Sequence, residues 1–357
     1  MNPAARTLAE RFRRHGRLMP AGLYRTLILA CADDLDRGGI VASICRDWTE
    51  APSSAVVQLR LLAGLQRLAL QRRAPQLLMY YPNLGGTASP EAAWADFEPV
   101  LREHAEELRQ ALEIAPQTNE PGRSAALLVG IFDVVRRSGR SRIRLLELGA
   151  SAGLNLLVDR YLIGGQDWTA GPVDSPLRLT SAVIGAVEPI DYTILERRGC
   201  DLAPVDAGSP EGRLRLTSFV WPHDLHRHER LRAALAVAAE NPVTVDAAPA
   251  SHWLSQQLSS SGPAGTVTVV WHSVTRQYWP AEEIDAVEQV IAEAASRMAI
   301  AQVSMESPVS VRDPRSEIRG YRPPELTVRL TVPGAVADHR PHLLAYVEDH
   351  GIPVTMV

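Results

Sequence analysis

Over residues 1 to about 140 the apolar positions recur at three- and four-residue steps. Tyr24, Leu27, Ile28, Cys31 and Leu35 make one stripe, and Val56, Leu59, Leu62, Ala63 and Leu70 make another, the spacing of amphipathic helices. A third helix is expected to open at Pro90, with Ser89 as N-cap, and to run through Leu112; a fourth covers 122–138. Two segments dense in turn formers separate them, Tyr80-Tyr81-Pro82-Asn83-Leu84-Gly85-Gly86-Thr87 and Pro116-Gln117-Thr118-Asn119-Glu120-Pro121-Gly122.

Beyond residue 140 the pattern changes to short β-branched runs: 143–148, 192–195, 213–220, 242–245, 266–271, 299–305, 326–332 and 353–357. These alternate with helical stretches such as 228–240 and 281–297, which predicts an α/β fold with a doubly wound, mostly parallel sheet. The expected organisation is an all-helical domain over 1–140, acting as a lid or substrate domain, and an α/β domain over 141–357. Residues 163–189, rich in Gly, Pro and Asp, read as a long loop.

Composition removes several chemistries. All 37 basic side chains are Arg, so Schiff-base and P-loop lysine mechanisms are excluded. A formal charge of −4 leaves no excess of cations for a phosphate backbone, and nucleic acid is not an expected partner. Cys31, Cys45 and Cys200 lie far apart without a CxxC, which suits a reducing cytoplasm. The apolar run 27–32 is too short for a signal core, no stretch approaches the ~20 residues that span a bilayer, and no membrane role is expected. His223, His226 and His228 cluster near Asp224, but no second ligand set is spaced for zinc, and a solvated helix start is the expected role.

The segment Ile143 to Asn155 carries the chemistry. A buried strand ends in the acid Glu147, a turn of small residues follows, and a helix begins. Small residues let main-chain N–H groups approach a ligand, and a strand-end carboxylate takes hydroxyls or an ammonium group. Glu147, Gly149, Ser151, Gly153 and Asn155 are therefore candidate cofactor residues, with a purely structural turn as the alternative. Gly149-Ala150-Ser151-Ala152-Gly153 also satisfies Gly-x-Ser-x-Gly, the nucleophile elbow of hydrolases. Asp201, Asp224, His272, His339 and His350 follow in an order that permits a triad, but that fold places several strands before the elbow, where this chain reads as helical. His272 ends the strand 266–271 in the region where doubly wound sheets bind substrate, which makes it a candidate general base or a strand-end histidine. The same segment continues to Tyr278. Asn119, Glu120 and Arg123 form a polar junction before the first strand and are candidates for a substrate pocket that Tyr80-Tyr81 would close; capping is the alternative.

Glu147-x-Gly149-x-Ser151-x-Gly153 resembles the first motif of class I S-adenosylmethionine-dependent methyltransferases, with Ser151 at the middle glycine. The whole chain more closely resembles an uncharacterised bacterial family, a domain of unknown function with a methyltransferase-like fold. The shared segments are Tyr81-Pro82 with Gly85-Gly86, 117–120 with Gly122-Arg123, 147–155 with Asp159-Arg160-Tyr161, Asp201-Leu202 with Pro204 and Asp206, and Val270-Trp271-His272-Ser273. The resemblance implies S-adenosylmethionine as cofactor, Asp201 on the ribose, and methyl transfer to a small polar metabolite, for instance in secondary metabolism. It also implies that the helix entering the first strand packs near the cofactor. Pro249 stands where an acid for the adenine amine is expected, with Asp246 as a possible substitute. A second reading keeps the fold for an intramolecular displacement, such as closing an aziridine-like nitrogen ring without a cofactor. A third is a non-catalytic subunit, and either a homo- or a hetero-oligomer is compatible.

Overall fold

The computed structural model describes residues 3–117, 119–308, 322–334 and 340–357. In chain order its helices are α1 (Pro3–Leu18), α2 (Leu23–Asp36), α3 (Ile40–Ile44), α4 (Val57–Leu70), α5 (Ala93–Glu103), α6 (Ala105–Ala111), α7 (Ser124–Ser138), α8 (Pro210–Ser218), α9 (Leu225–Glu240), α10 (Ala250–Leu258) and α11 (Ala281–Ala295). The strands are β1 (Arg142–Leu148), β2 (Leu162–Gly164), β3 (Thr169–Ala170), β4 (Arg178–Leu179), β5 (Val183–Ile184), β6 (Thr193–Asp201), β7 (Thr244–Ala247), β8 (Thr266–Ser273), β9 (Ile300–Glu306), β10 (Glu325–Thr331), β11 (His342–Val347) and β12 (Val354–Met356). No helix among the described residues is long and apolar enough to cross a membrane.

The chain divides into two units, residues 1–118 with 210–229, and residues 119–209 with 230–357. In the helical unit the predicted stripe of α2 is buried in one apolar cluster with Leu8 and Phe12 of α1 and Leu61, Leu62 and Leu65 of α4. Of residues 213–220, expected as a strand, 213–218 lie in helix α8 instead. Pro210 at the helix start and Glu211 in its first turn favour that helix, and the buried Gly212 and Leu216 stand four apart on one face. This segment joins the helical unit through the Gln66 amide, which donates to the Val220 carbonyl at 3.1 Å. The helix expected over 90–112 breaks at His104 into α5 and α6. Ser89 does not cap it, since its hydroxyl is spent on the Glu91 carboxylate.

The second unit holds a sheet in the order β5-β12-β11-β10-β9-β8-β1-β6-β7. β7, β6, β1, β8 and β9 are mutually parallel, and β10 to β12 continue as an antiparallel meander. Each of the eight residues of β8 is buried, as a central strand covered on both faces requires. On one face α7 lies so close to β9 that a Cβ at Gly130 would stand 2.4 Å from Val303 Cγ1. On the other, Trp253 and Leu254 of α10 and Val287 and Ile291 of α11 pack over Leu146, Leu148 and Val270. Helix α7 thus belongs with the sheet, and the division between units falls at 118/119 rather than 140. Residues 163–189 include β3, β4 and β5, and β3-β2-β4 make a small sheet of their own.

Candidate functional site

β1 lies mid-sheet, and the chain runs from it to β6 and β7 on one side before returning to β8 and β9 on the other. The strand order therefore reverses between β1 and β8, and their carboxyl ends mark the crevice where such sheets hold ligands. Glu147 and the turn 149–153 stand there.

The turn is held by the chain itself. Gly149 and Gly153 take φ of 71° and 73°, and between them Ser151 takes 54°. Ala150 N–H donates to the Cys200 carbonyl, Ser151 N–H to Asp201 Oδ2 at 2.9 Å and Gly153 N–H to the Ala150 carbonyl. Ala152 and Leu154 N–H both donate to Asn119 Oδ1, at 3.2 and 2.9 Å. With these amides satisfied, the turn is not a phosphate cradle. Non-glycine residues with positive φ gather around it: Ser151, Asn119 at 31° and Val274 at 51°. Such conformations cost on the order of 1–3 kcal/mol each and persist only where surroundings impose them, as at functional sites.

Behind the turn, Glu147 is 2% exposed and its Oε2 has no hydrogen-bond partner among the described residues; Ser151 Oγ and Trp271 Nε1 also lack one. Trp271 is the partner of Glu147 across the β1–β8 ladder, and its indole N–H faces the carboxyl without closing a bond of normal geometry. Ser124 Oγ donates to Asn155 Oδ1 at 2.8 Å, which leaves the Asn155 amide N–H for Glu147. Burial pushes the Glu147 carboxyl up to about 8; Asn155, the Arg123 charge and Trp271 oppose the rise and Asp201 adds to it.

The other predicted residues divide. Arg123 stands at this site, its Nη1 donating to the Ser273 carbonyl at 3.1 Å and Nη2 to the Asp349 carbonyl at 3.4 Å. Tyr278, 61% exposed, is influenced by Arg123 and Glu306. Asp201 ties the loops after β1 and β6, because its Oδ1 also accepts Ala203 N–H at 2.9 Å. Glu120 caps the turn at 121–123 through Gly122 N–H and pairs with Arg230 at 3.0 Å, buried. His272 sits one residue from Arg123's contact at Ser273, yet its ring lies on the α11 face. Its Nδ1 is 2.8 Å from Glu306 and its Nε2 3.2 Å from Gln302. Asp246 is bound by Arg198 and by Trp253 Nε1 at 2.6 Å.

Tyr80 and Tyr81 pack within the helical unit, Tyr80 donating to Asp96 and both rings against Phe97. The serine triad does not assemble among the described residues: Ser151 Oγ is unpaired and both His272 nitrogens are engaged. His339 lies outside the described residues. His226 is exposed and His228 turns to the Trp221 carbonyl, and no group of three metal-ligating side chains converges among the described residues. Cavities of about 280 Å³ lie at the N-terminal end of β8 and beside α7, and neither is lined by the turn 149–153.

Sequence reasoning missed Trp271, Thr275, Glu306 and Ser124. A tryptophan in a continuous apolar strand reads as core, and Glu306 precedes a Ser-Pro pair and reads as solvated. No curated protein and no solved structure matches the chain. Residues 9–356 match the family described as "Uncharacterized protein conserved in bacteria (DUF2332)", and the chain belongs to that family.

Proposed function

We propose that the crevice at the ends of β1 and β8 binds S-adenosylmethionine and that the protein transfers its methyl group to a small polar metabolite. The observation that carries this reading is the Glu147 carboxyl, 2% exposed and with Oε2 unpartnered, at the point where strand order reverses. A carboxylate placed there suits an ammonium group, and a turn with no spare amides suits a ligand without phosphates. Asp201, which the resemblance sets on the ribose, stands at the turn, its two oxygens accepting from Ser151 N–H and Ala203 N–H. Asp246, the candidate acid for the adenine amine, accepts from Arg198 and from Trp253 Nε1.

S-adenosylmethionine, when bound, supplies an activated methyl group. The chain's own part is positioning and the exclusion of water. Glu147 fixes the amino end, and Asn155, itself held by Ser124, orients that carboxyl. In this reading Arg123, held at the end of β8 through the Ser273 carbonyl, and Tyr278 are the acceptor-binding side chains, and Thr275 covers Gly149. Titration calorimetry with S-adenosylmethionine and S-adenosylhomocysteine tests the reading. Binding of both is expected, with Glu147→Ala weakening it by about 1–3 kcal/mol. Absence of binding to folded protein overturns the reading.

A further inference from the structure

Beyond Gly149 the crevice is roofed by the segment that follows β8. A Cβ at Gly149 would stand 2.4 Å from Thr275 Oγ1, so Thr275 rests directly on the turn. What holds the segment down is legible atom by atom. Glu306, at the end of β9, accepts with one oxygen, Oε1, from Thr275 N–H and Arg276 N–H, each at 3.2 Å, and from His272 Nδ1 at 2.8 Å. Val274 N–H is tied to the Met305 carbonyl at 2.9 Å.

The histidine is oriented in its turn. A carboxylate accepts, so Nδ1 donates, and in the neutral ring Nε2 must accept. It does so from the Gln302 amide at 3.2 Å, and that amide also donates to Glu288 at 3.1 Å. The Gln302 carbonyl oxygen takes Arg329, which pairs with Glu288 as well. Turning the amide over would set donor against donor at Arg329, so its orientation, the histidine tautomer and the direction of Glu306 are fixed together. Val274 holds a left-handed conformation that a β-branched residue rarely adopts, and so the closed roof stands against local strain.

We propose that Glu306 is a positioning residue of this crevice: oriented by His272 and Gln302, it latches the Val274–Tyr278 segment closed over the Gly149 turn. His272 therefore acts on the site through Glu306 and does not touch the ligand. The proposal rests on the crevice being the ligand site for its purpose, but its geometry is independent of which ligand enters.

Hydrogen exchange read by mass spectrometry on the full chain tests it without any ligand. In Glu306→Ala the peptides covering 274–279 and 149–154 should both exchange faster by on the order of tenfold or more, while peptides from α2 and α4 are unchanged. Glu306→Gln keeps an acceptor oxygen and should fall between wild type and Glu306→Ala. His272→Ala, which leaves Glu306 in place but unoriented, should accelerate the same two segments less. Faster exchange at 274–279 with 149–154 still protected would overturn the roof, and unchanged exchange at both would overturn the latch. Faster exchange throughout the sheet would make Glu306 a general stability residue and also overturn the proposal. Failure to bind S-adenosylmethionine would refute the proposed function and leave these outcomes as they are.

Discussion

Replacing Glu147 by Gln should change how stability depends on pH. The carboxyl rises from an ordinary 4.5 to about 8 because it is buried. Below pH 4.5 it is protonated in both folded and unfolded chains and contributes nothing. Between 4.5 and 8 the unfolded chain ionises while the folded chain keeps its proton, so stability falls as pH rises. Above 8 both are ionised and the full penalty has been taken. The interval of 8 − 4.5 = 3.5 units, at 1.36 kcal/mol per unit, gives a ceiling of about 5 kcal/mol for this carboxyl. Glutamine has no such titration. Urea denaturation of both proteins from pH 5 to 9 should therefore show Glu147→Gln gaining on wild type by several kcal/mol across that range, whatever constant offset the amide introduces. The same proton gives a second reading in calorimetry. If an ammonium group docks on Glu147 at pH 7, the carboxyl must ionise, and about one proton is released, seen as a dependence of binding enthalpy on buffer ionisation. A stability difference that does not vary with pH would refute the account of Glu147 as a desolvated acid.

Glu120→Ala should destabilise the protein by about 3–5 kcal/mol, because Arg230 is left without its carboxylate in a buried setting; thermal melting should fall by on the order of 10 °C while the folded fraction keeps its ligand affinity. A preserved melting temperature with lost affinity would move Glu120 into the pocket. Ser151→Ala should lose less than about tenfold in binding or turnover, since the hydroxyl has no partner among the described residues, whereas a nucleophile would lose on the order of 10⁴-fold.

The elements that the pattern of apolar positions predicts are those whose burial repeats with a single period. The stripe of α2 and the continuous runs of β1 and β8 have that property, and each forms near its expected limits; α4 forms as well, but it is buried on most sides, and Val56, Leu59 and Leu70 of its expected stripe are only half-buried. Where local and tertiary signals compete, the prediction departs. Residues 213–220 contain enough strand formers to read as β, but 213–218 belong to α8, whose buried Gly212 and Leu216 stand four apart, so packing selects a helix. The domain division departs for a related reason. α7 has the composition of the helices before it, and only the sheet beneath, reaching as near as Val303, decides which unit it joins.

The candidate site separates in the same way. Glu147, Ser151 and Gly153 are contiguous with a strand-to-turn transition, and their place at the end of β1 follows from that local geometry. Glu306 is 34 residues beyond His272 and meets it only because β8 and β9 are parallel neighbours in register, His272 beside Ser304. Trp271 meets Glu147 through the β1–β8 ladder across 124 residues, counted as 271 − 147. Such pairings depend on strand order, and strand order depends on which crossovers the whole chain can bury. A strand-end histidine consequently reads as a base in one dimension and as the holder of a carboxylate in three. The same logic says where further residues of the crevice should be sought: at ladder partners of Glu147 and His272 on β6, β8 and β9, rather than in the motif that first drew notice to the turn.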